Sequence, residues 1–129
     1  MALPTDSDLP VVLHNPSCSK SRALCSALDK RGVAYATRLY LQDPLDEAEL
    51  VALLVRLDGE PATLVRKTER EFKNADFPDD PDAESVARTL AARPRLMERP
   101  VLIVGRQARI GRPKEAALEL LPSDSQTVA

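Results

Sequence analysis

Apolar residues fall into short blocks along the chain, and their spacing predicts alternating strands and helices. The run Leu9–Leu13 is apolar throughout most of its length, which is typical of a buried strand. A proline, Pro16, ends this strand, and leucines at helical spacing then predict a helix that runs to about Lys30. Gly32 is placed to end the helix. The alternation in Val33–Tyr40 predicts a second strand.

The middle of the chain is mostly helical by the same criteria. Asp46 and Glu49 have the spacing of a capping box, and four leucines follow at helical intervals before the breaker pair Asp58-Gly59. Further along, the pattern predicts two helices separated by a charged loop: a short helix over Pro61–Lys67, the loop over Glu69–Pro81, and a helix over Asp82–Arg93.

The last part of the chain returns to strands. Pro100–Val104 is the most strongly predicted strand, Gly105-Arg106 is a plausible hairpin turn, and Gln107–Ile110 forms the partner strand. A final helix is predicted over Pro113–Leu121, because proline is well tolerated in the first turn of a helix.

This order of elements predicts an α/β fold. The chain is predicted to begin with strand-helix-strand, to continue with a helical middle and to end with strand-strand-helix. This is the order of a thioredoxin-like mixed sheet with a helical insertion between the second and third strands. The length of 129 residues fits a single domain, 1–129, with 1–8 and 123–129 expected to be flexible tails. Pro100, directly before the third strand, lies where that fold usually has a cis proline, although the sequence leaves the isomer open.

Composition narrows the classes of function. The chain is 43% hydrophobic but only 3% aromatic, so its core is expected to be aliphatic. A net charge of −2 gives no general support for binding to nucleic acid or to a membrane surface. No segment has the roughly 18 apolar residues of a membrane span, and the N-terminus is too polar for a secretory signal. We therefore expect a cytoplasmic protein.

The two cysteines have different surroundings. Cys18 lies at the predicted start of the first helix, where unpaired backbone N–H groups and the helix dipole stabilise an anion. Lys20 and Arg22 add positive charge, so the pKa of the Cys18 thiol is expected to fall below about 8.5. A buried, inert cysteine is the alternative, but such a residue normally has apolar neighbours. Cys25 does have them, and we interpret it as core filler.

The residues around Cys18 exclude several kinds of site. Ser21 occupies the position of the second cysteine in a Cys-x-x-Cys pair, and Cys25 lies about 10 Å further along the helix, beyond disulfide reach. A second thiol must therefore come from another molecule. Leu24 stands where a phosphatase-type Cys-x5-Arg loop has its arginine. One histidine and two separated cysteines also do not form a metal site.

His14 is the only histidine, and two roles are open for it. It can hold a proton beside the thiolate, or it can form a hydrogen bond within the loop that precedes the helix.

The segment His14-Asn15-Pro16-Ser17-Cys18-Ser19-Lys20-Ser21-Arg22 closely resembles the active-site segment of the glutaredoxin-coupled arsenate reductases. The similarity extends from about Val11 to Pro122, and later segments match in order: Leu64-Val65-Arg66-Lys67, Glu98-Arg99-Pro100, Ile110-Gly111-Arg112-Pro113 and Leu118-Glu119-Leu120-Leu121-Pro122.

This resemblance implies a thioredoxin-like fold and a reaction in three steps. The cysteine attacks arsenate, glutathione attacks the arsenic adduct, and glutaredoxin reduces the mixed disulfide, so glutathione is a co-substrate and no cofactor is bound. By matching motif, Arg66, Arg99 and Arg112 would bind the oxyanion, while His14 and Ser21 would help to stabilise the thiolate.

The chemistry agrees with this assignment, because guanidinium groups bind tetrahedral oxyanions with two parallel hydrogen bonds. A solvated surface role is the alternative for each arginine, and Arg106 and Arg109 are interpreted as hairpin surface. Some relatives carry a cysteine where this chain has Gly111.

Two other functions remain open. One is a transcriptional regulator of the same fold that binds RNA polymerase, although such regulators typically use a Cys-x-x-Cys pair that Ser21 interrupts. The other is a glutathione-dependent thiol reductase that acts on a different substrate.

Overall fold

A four-stranded mixed sheet forms the centre of the molecule. The computed structural model describes residues 9–66 and 81–121. The strands are β1 (Val11–Leu13), β2 (Ala36–Arg38), β3 (Val101–Val104) and β4 (Gln107–Ile110), in the spatial order β2-β1-β3-β4. β1 pairs with β2 in parallel, whereas β1–β3 and β3–β4 are antiparallel. This arrangement confirms the predicted thioredoxin-like mixed sheet.

Helices cover both faces of this sheet. The four α-helices are α1 (Ser19–Lys30), α2 (Glu47–Arg56), α3 (Ala83–Ala92) and α4 (Lys114–Leu118), and short 3₁₀ turns span Pro61–Leu64 and Pro94–Leu96. α2 and α3 lie in the chain between β2 and β3, so the helical insertion lies between the second and third strands as predicted.

The core divides into two clusters because successive strand residues point to opposite faces of a sheet. Val12 and Leu102 belong to the smaller cluster, which packs under α1 and α4. Their neighbours Leu13, Val101 and Ile103 belong to the larger cluster, which packs under α2 and α3. The core is aliphatic, as the low aromatic content predicts, and Tyr40 is its one large aromatic residue among those described.

Local signals fix several helix ends as predicted. The capping box of α2 is present, since Asp46 Oδ1 accepts from Glu49 N–H at 2.8 Å and Glu49 Oε1 accepts from Asp46 N–H at 3.1 Å. At the end of α1, Gly32 has φ +70°, and the amides of Gly32 and Val33 donate to Asp29 and Leu28. This pattern is a Schellman motif, which requires a positive φ at the glycine.

Three predicted elements differ from the structure. The second strand is shorter than Val33–Tyr40, because the Val33 amide closes α1 and is not available to the sheet. The predicted helix Pro61–Lys67 is only a 3₁₀ turn that ends at Leu64, after which Val65 is extended. The last α-helix begins after Pro113, which has the extended ψ of 161°, and ends at Leu118 rather than at Leu121.

Other predictions fall on residues outside the described ranges. They are the two flexible tails and most of the loop Glu69–Pro81, and these remain predictions. Within residues 9–66 and 81–121, no helix is both long enough and apolar enough to cross a bilayer.

Two short connections bring distant segments to the end of the sheet where α1 begins. Val65 and Met97 form an isolated antiparallel bridge, with Arg66 N–H donating to Leu96 O at 2.7 Å and Glu98 N–H donating to Leu64 O at 2.6 Å. The peptide bonds Arg99-Pro100 and Arg112-Pro113 are both cis. Gly111 N–H donates to Pro100 O at 2.8 Å, which joins these two proline segments.

Candidate active site

Cys18 lies at the N-cap of α1, in the position predicted from the sequence. Its backbone is extended, with φ −99° and ψ 124°, and its carbonyl accepts the Arg22 amide of the first helical turn at 3.0 Å. The Cys18 amide donates to Asn15 O at 3.0 Å, which closes the loop before the helix. The side chain is 8% exposed. Because the loop and the helix start are held together, the sulfur has a defined position beside the free N–H groups of α1.

The surroundings of Cys18 favour the thiolate. Burial alone would raise the pKa of this thiol, but the backbone N–H groups of Ser21 and Lys20 and the charge and N–H donors of Arg99 lower it, and the net pKa lies below its ordinary value. The helix start therefore acts on the sulfur through its first N–H groups, which also form the positive end of the helix dipole. Cys18 therefore has the character of an ionisable nucleophile.

The three arginines that the family motif singles out lie together near this sulfur. Arg112 Nη2 donates to Cys18 Sγ at 3.7 Å, and Arg112 Nε donates to Arg99 O at 2.7 Å. Arg66 reaches the same group, since its Nε lies 3.8 Å from Glu98 Oε1, the carboxylate that also approaches Arg99 and Arg112. The fold thus brings guanidinium groups from three separate segments to one place.

Arg99 is partly buried and has unused hydrogen-bonding capacity. Its side chain is 13% exposed, and its Nε and Nη1 atoms are buried without a hydrogen-bond partner among the described residues. Buried polar groups in proteins are nearly always satisfied, and exceptions are concentrated at functional sites. The open donors of Arg99, together with its effect on the pKa of Cys18, identify a position where an anion can bind beside the thiolate.

His14 acts on the site through Ser21. Ser21 Oγ accepts from Asn15 N–H at 3.0 Å and forms a hydrogen bond with His14 Nδ1 at 2.8 Å. Burial, followed by the positive charge of Arg22, lowers the pKa of His14, so the ring is neutral at neutral pH. The hydrogen bond between His14 and Ser21 joins the loop before α1 to the helix, and a proton-holding role for His14 beside the thiolate stays a prediction. The bond fixes Ser21, whose amide acts on the thiolate.

Cys25 is less isolated from the site than its apolar neighbours suggest. It is half-buried, and its Sγ lies 3.7 Å from His14 Nδ1. Burial raises the pKa of the Cys25 thiol, with an opposing effect from the Tyr35 hydroxyl and a further increase from Asp29. Cys18 and Cys25 are both free thiols. The structure thus separates one activated thiol from one suppressed thiol on the same helix.

Two residues near the site had no role assigned from the sequence. Glu98 appeared there only as part of a motif, but its carboxylate lies among the three arginines. Tyr40 is buried with 2% exposure, and its pKa is raised by burial and lowered in part by Arg99 and by a hydrogen bond from Asn15. Glu98 and Tyr40 reach the site through tertiary contacts. The only local signal in the sequence was the position of Glu98 next to Arg99.

The remaining arginines of the hairpin do not join this group. Arg106 is exposed, as expected for hairpin surface. Arg109 is more than a surface residue, because it donates to Asp58 Oδ2 at 3.0 Å and to Glu119 Oε1 at 2.8 Å and so connects β4 to the ends of α2 and α4.

Among residues 9–66 and 81–121, no group of three or more histidine, cysteine or acidic side chains could hold a metal ion.

A thioredoxin-like sheet with an activated cysteine at the start of its first helix, faced by convergent arginines, defines a class of thiol proteins that handle oxyanions. The comparisons with known proteins specify the family. Residues 13–120 match the ArsC family, and this chain belongs to it.

Proteins similar to this chain align with it over nearly their whole lengths. The uncharacterized protein YfgD of Escherichia coli K12 is 38% identical over 112 residues, which is 85% of this chain and 94% of that protein. A protein named arsenate reductase from Haemophilus influenzae is 34% identical over 114 residues, covering 86% and 97% of the two chains. The solved structure of an arsenate reductase from Vibrio cholerae superposes with a TM-score of 0.76 at 34% identity, covering 87% and 97%.

Proposed function

We propose that this protein reduces arsenate to arsenite, with Cys18 as the nucleophile and an external thiol as the source of electrons. One observation carries the proposal: the thiolate at the start of α1 lies 3.7 Å from Arg112 Nη2 and beside the buried, open donors of Arg99. The names of the relatives from Haemophilus and Vibrio support arsenate as the oxyanion.

The arrangement resolves an electrostatic problem. A thiolate and an arsenate ion repel each other, and the repulsion of two unit charges about 4 Å apart is roughly 4 kcal/mol at a protein surface. Guanidinium groups that bind the arsenate oxygens offset this repulsion in the ground state. They also stabilise the charge that develops as the bond to sulfur forms. Arg66, Arg99 and Arg112 are the residues that we assign to this role.

The Cys18 thiolate attacks arsenic, an S–As bond forms, and an As–O bond breaks as the oxygen takes up protons and leaves as water. The glutathione thiol then forms a second S–As bond, and a second As–O bond breaks with loss of water. A glutaredoxin thiolate attacks the glutathione sulfur, the bond between that sulfur and arsenic breaks, and its electron pair stays on arsenic and converts As(V) to As(III) as the glutathione–glutaredoxin disulfide forms. Water hydrolyses the remaining S–As bond, which releases arsenite and restores the Cys18 thiolate.

A cavity next to Arg112 supports the use of glutathione. It has a volume of about 450 Å³, and the residues that line it include Lys20, Ala23, Gly111, Arg112 and Lys114. This volume lies within the usual range of small-molecule sites. Lys20 and Arg112 suit the carboxylates of glutathione, whereas Lys114 is paired at 3.3 Å with Glu115, which also lines the cavity. Arg112 connects the cavity to the sulfur of Cys18.

A coupled turnover assay tests the proposal. The protein is supplied with arsenate, glutathione, glutaredoxin and NADPH-dependent recycling of oxidised glutathione. We expect turnover that falls to background in Cys18→Ser, because the nucleophile is lost. The matched control Cys25→Ser retains activity, since that thiol does not face the arginines. Failure of the wild-type protein to reduce arsenate, while Cys18 still reacts readily with iodoacetamide, would favour a thiol reductase with another substrate.

A further inference from the structure

Glu98 places a negative charge at the centre of the arginine cluster. Its Oε1 atom lies 3.4 Å from Arg112 Nε, 3.7 Å from Arg99 Nη1 and 3.8 Å from Arg66 Nε. One carboxylate oxygen therefore contacts a guanidinium group from each of the three segments that form the site. Neither the sequence pattern nor the proposed reaction assigns a role to this carboxylate.

The position of Glu98 is fixed by the backbone rather than by the arginines. Its amide donates to Leu64 O at 2.6 Å, and the reciprocal bond runs from Arg66 N–H to Leu96 O at 2.7 Å. Arg99 N–H also lies 3.3 Å from Glu98 Oε1 and donates to it. These bonds fix the Glu98 backbone, and the Arg99 amide orients the carboxylate without using a guanidinium group.

The contacts attract the guanidinium groups without saturating them. The separations of 3.4 to 3.8 Å exceed ordinary N–H···O hydrogen-bond distances. Arg99 keeps two buried donors without a partner among the described residues, although Glu98 is its neighbour in the chain. Glu98 thus offsets the repulsion between three like charges and still leaves hydrogen-bonding groups for a ligand.

We propose that Glu98 is a positioning residue that acts as a fixed counter-charge, reducing the net charge of the Arg66, Arg99 and Arg112 cluster and so limiting occupancy by oxyanions that bind without reacting. The proposal rests on the oxyanion site assigned above. Phosphate has nearly the same shape and charge as arsenate, but it forms no stable bond to sulfur. Without this carboxylate the cluster would hold phosphate more tightly, whereas arsenate is retained by its bond to Cys18 even when the purely electrostatic binding is weaker.

Substitution Glu98→Gln removes the charge and preserves the size of the side chain. We expect phosphate to bind about threefold to tenfold more tightly to this variant, because the repulsion between the carboxylate and the anion is lost. The measurement is the protection of Cys18 from iodoacetamide by increasing phosphate, which needs no arsenate turnover. A purely structural role for Glu98 predicts the opposite result, since loss of the ion contacts would let the arginines separate and weaken phosphate binding.

Two further variants separate charge from geometry. Glu98→Asp retains the charge, and we expect its phosphate affinity to stay near that of the wild type. Glu47→Gln removes an equal charge from an exposed site on α2 outside the cluster, and we expect no change. Unchanged or weaker phosphate binding in Glu98→Gln overturns the counter-charge role. Absence of phosphate protection in both the wild type and Glu98→Gln overturns the oxyanion site itself. Loss of arsenate turnover alone, with the phosphate results as expected, contradicts only the assigned substrate.

Discussion

Arg38 is buried and Arg99 is partly buried, and each has a glutamate beside it, but their donors are used differently. Each nitrogen of the Arg38 guanidinium is bonded: Nε to Asp43 O at 2.9 Å, Nη1 to Glu49 Oε2 at 2.7 Å, and Nη2 to Pro44 O at 2.9 Å. Arg99 has buried Nε and Nη1 atoms without such partners among the described residues. A saturated guanidinium group stabilises the fold, whereas an unsaturated one is available to a ligand.

The pKa values of the first pair agree with this interpretation. The hydrogen bond to Glu49 raises the pKa of Arg38, and the same contact lowers the pKa of Glu49. Both groups are therefore charged and matched at neutral pH. Glu49 also completes the capping box of α2, so the pair connects the end of β2 to the start of that helix.

The largest expected effect comes from breaking the saturated pair. Arg38→Met leaves the charge of Glu49 without its partner, and removal of one member of a buried pair costs about 3–5 kcal/mol. Urea unfolding measures this loss of stability. The double variant Arg38→Met/Glu49→Gln should recover part of it, because glutamine removes the charge and still fits a capping box. A loss below about 1 kcal/mol in the single variant would contradict a structural role for Arg38.

The second largest expected effect is a loss of activity on substitution of Arg99, the arginine with unused donors. Arg99→Lys keeps the charge but loses the planar pair of donors, so we expect kcat/KM for arsenate to fall about 10²- to 10³-fold. The free energy of unfolding should change by less than about 1 kcal/mol, since the removed donors make no hydrogen bond to the described residues. Arg106→Lys, in the exposed turn of the hairpin, is the matched control and should leave both quantities unchanged. Parallel losses of activity and stability would show that Arg99 is structural.

The smallest expected effect is a difference between the two thiols in how their labelling depends on pH. The pKa of Cys18 is lowered and that of Cys25 is raised. Iodoacetamide labelling of Cys18, measured in Cys25→Ser, should therefore continue well below about pH 8 and decline only as the pH falls through the lowered pKa. In Cys18→Ser, labelling of Cys25 should need a pH above about 8.5. A common midpoint for the two thiols would remove the argument for activation.

The lowered pKa of Cys18 also makes the stability of the folded protein depend on pH in a defined direction. An acid whose pKa is lower in the folded state stabilises that state above its unfolded pKa, and this contribution is lost as the pH falls through the folded pKa. Cys18 therefore adds stability on the alkaline side of its folded pKa.

Local sequence signals predicted those features that depend on few neighbours. The capping box at Asp46, the helix end at Gly32 and the position of Cys18 before α1 each require only adjacent backbone groups, and each is confirmed. The order of apolar blocks likewise predicted the mixed sheet.

Features that depend on the packing of distant segments were not accessible from the sequence alone. The partner of Arg38 is 11 residues away along the chain, and nothing in its strand distinguishes this arginine from those on the surface. Val33–Tyr35 have a strand-like pattern, but the Schellman motif at Gly32 uses the Val33 amide. The contacts of Glu98 require three segments to converge, so no local pattern reports them.

The close approach at Gly111 constrains how this site can change by mutation. A Cβ atom at that position would lie 3.0 Å from Pro100 Cγ and 3.3 Å from Leu24 Cδ2, which is tighter than most native contacts. A cysteine there, as some relatives have, must displace the proline ring or the leucine methyl group by a few tenths of an ångström. Position 111 is therefore sterically coupled to positions 24 and 100, and the tolerance of an internal second thiol there depends on whether those two neighbours can shift.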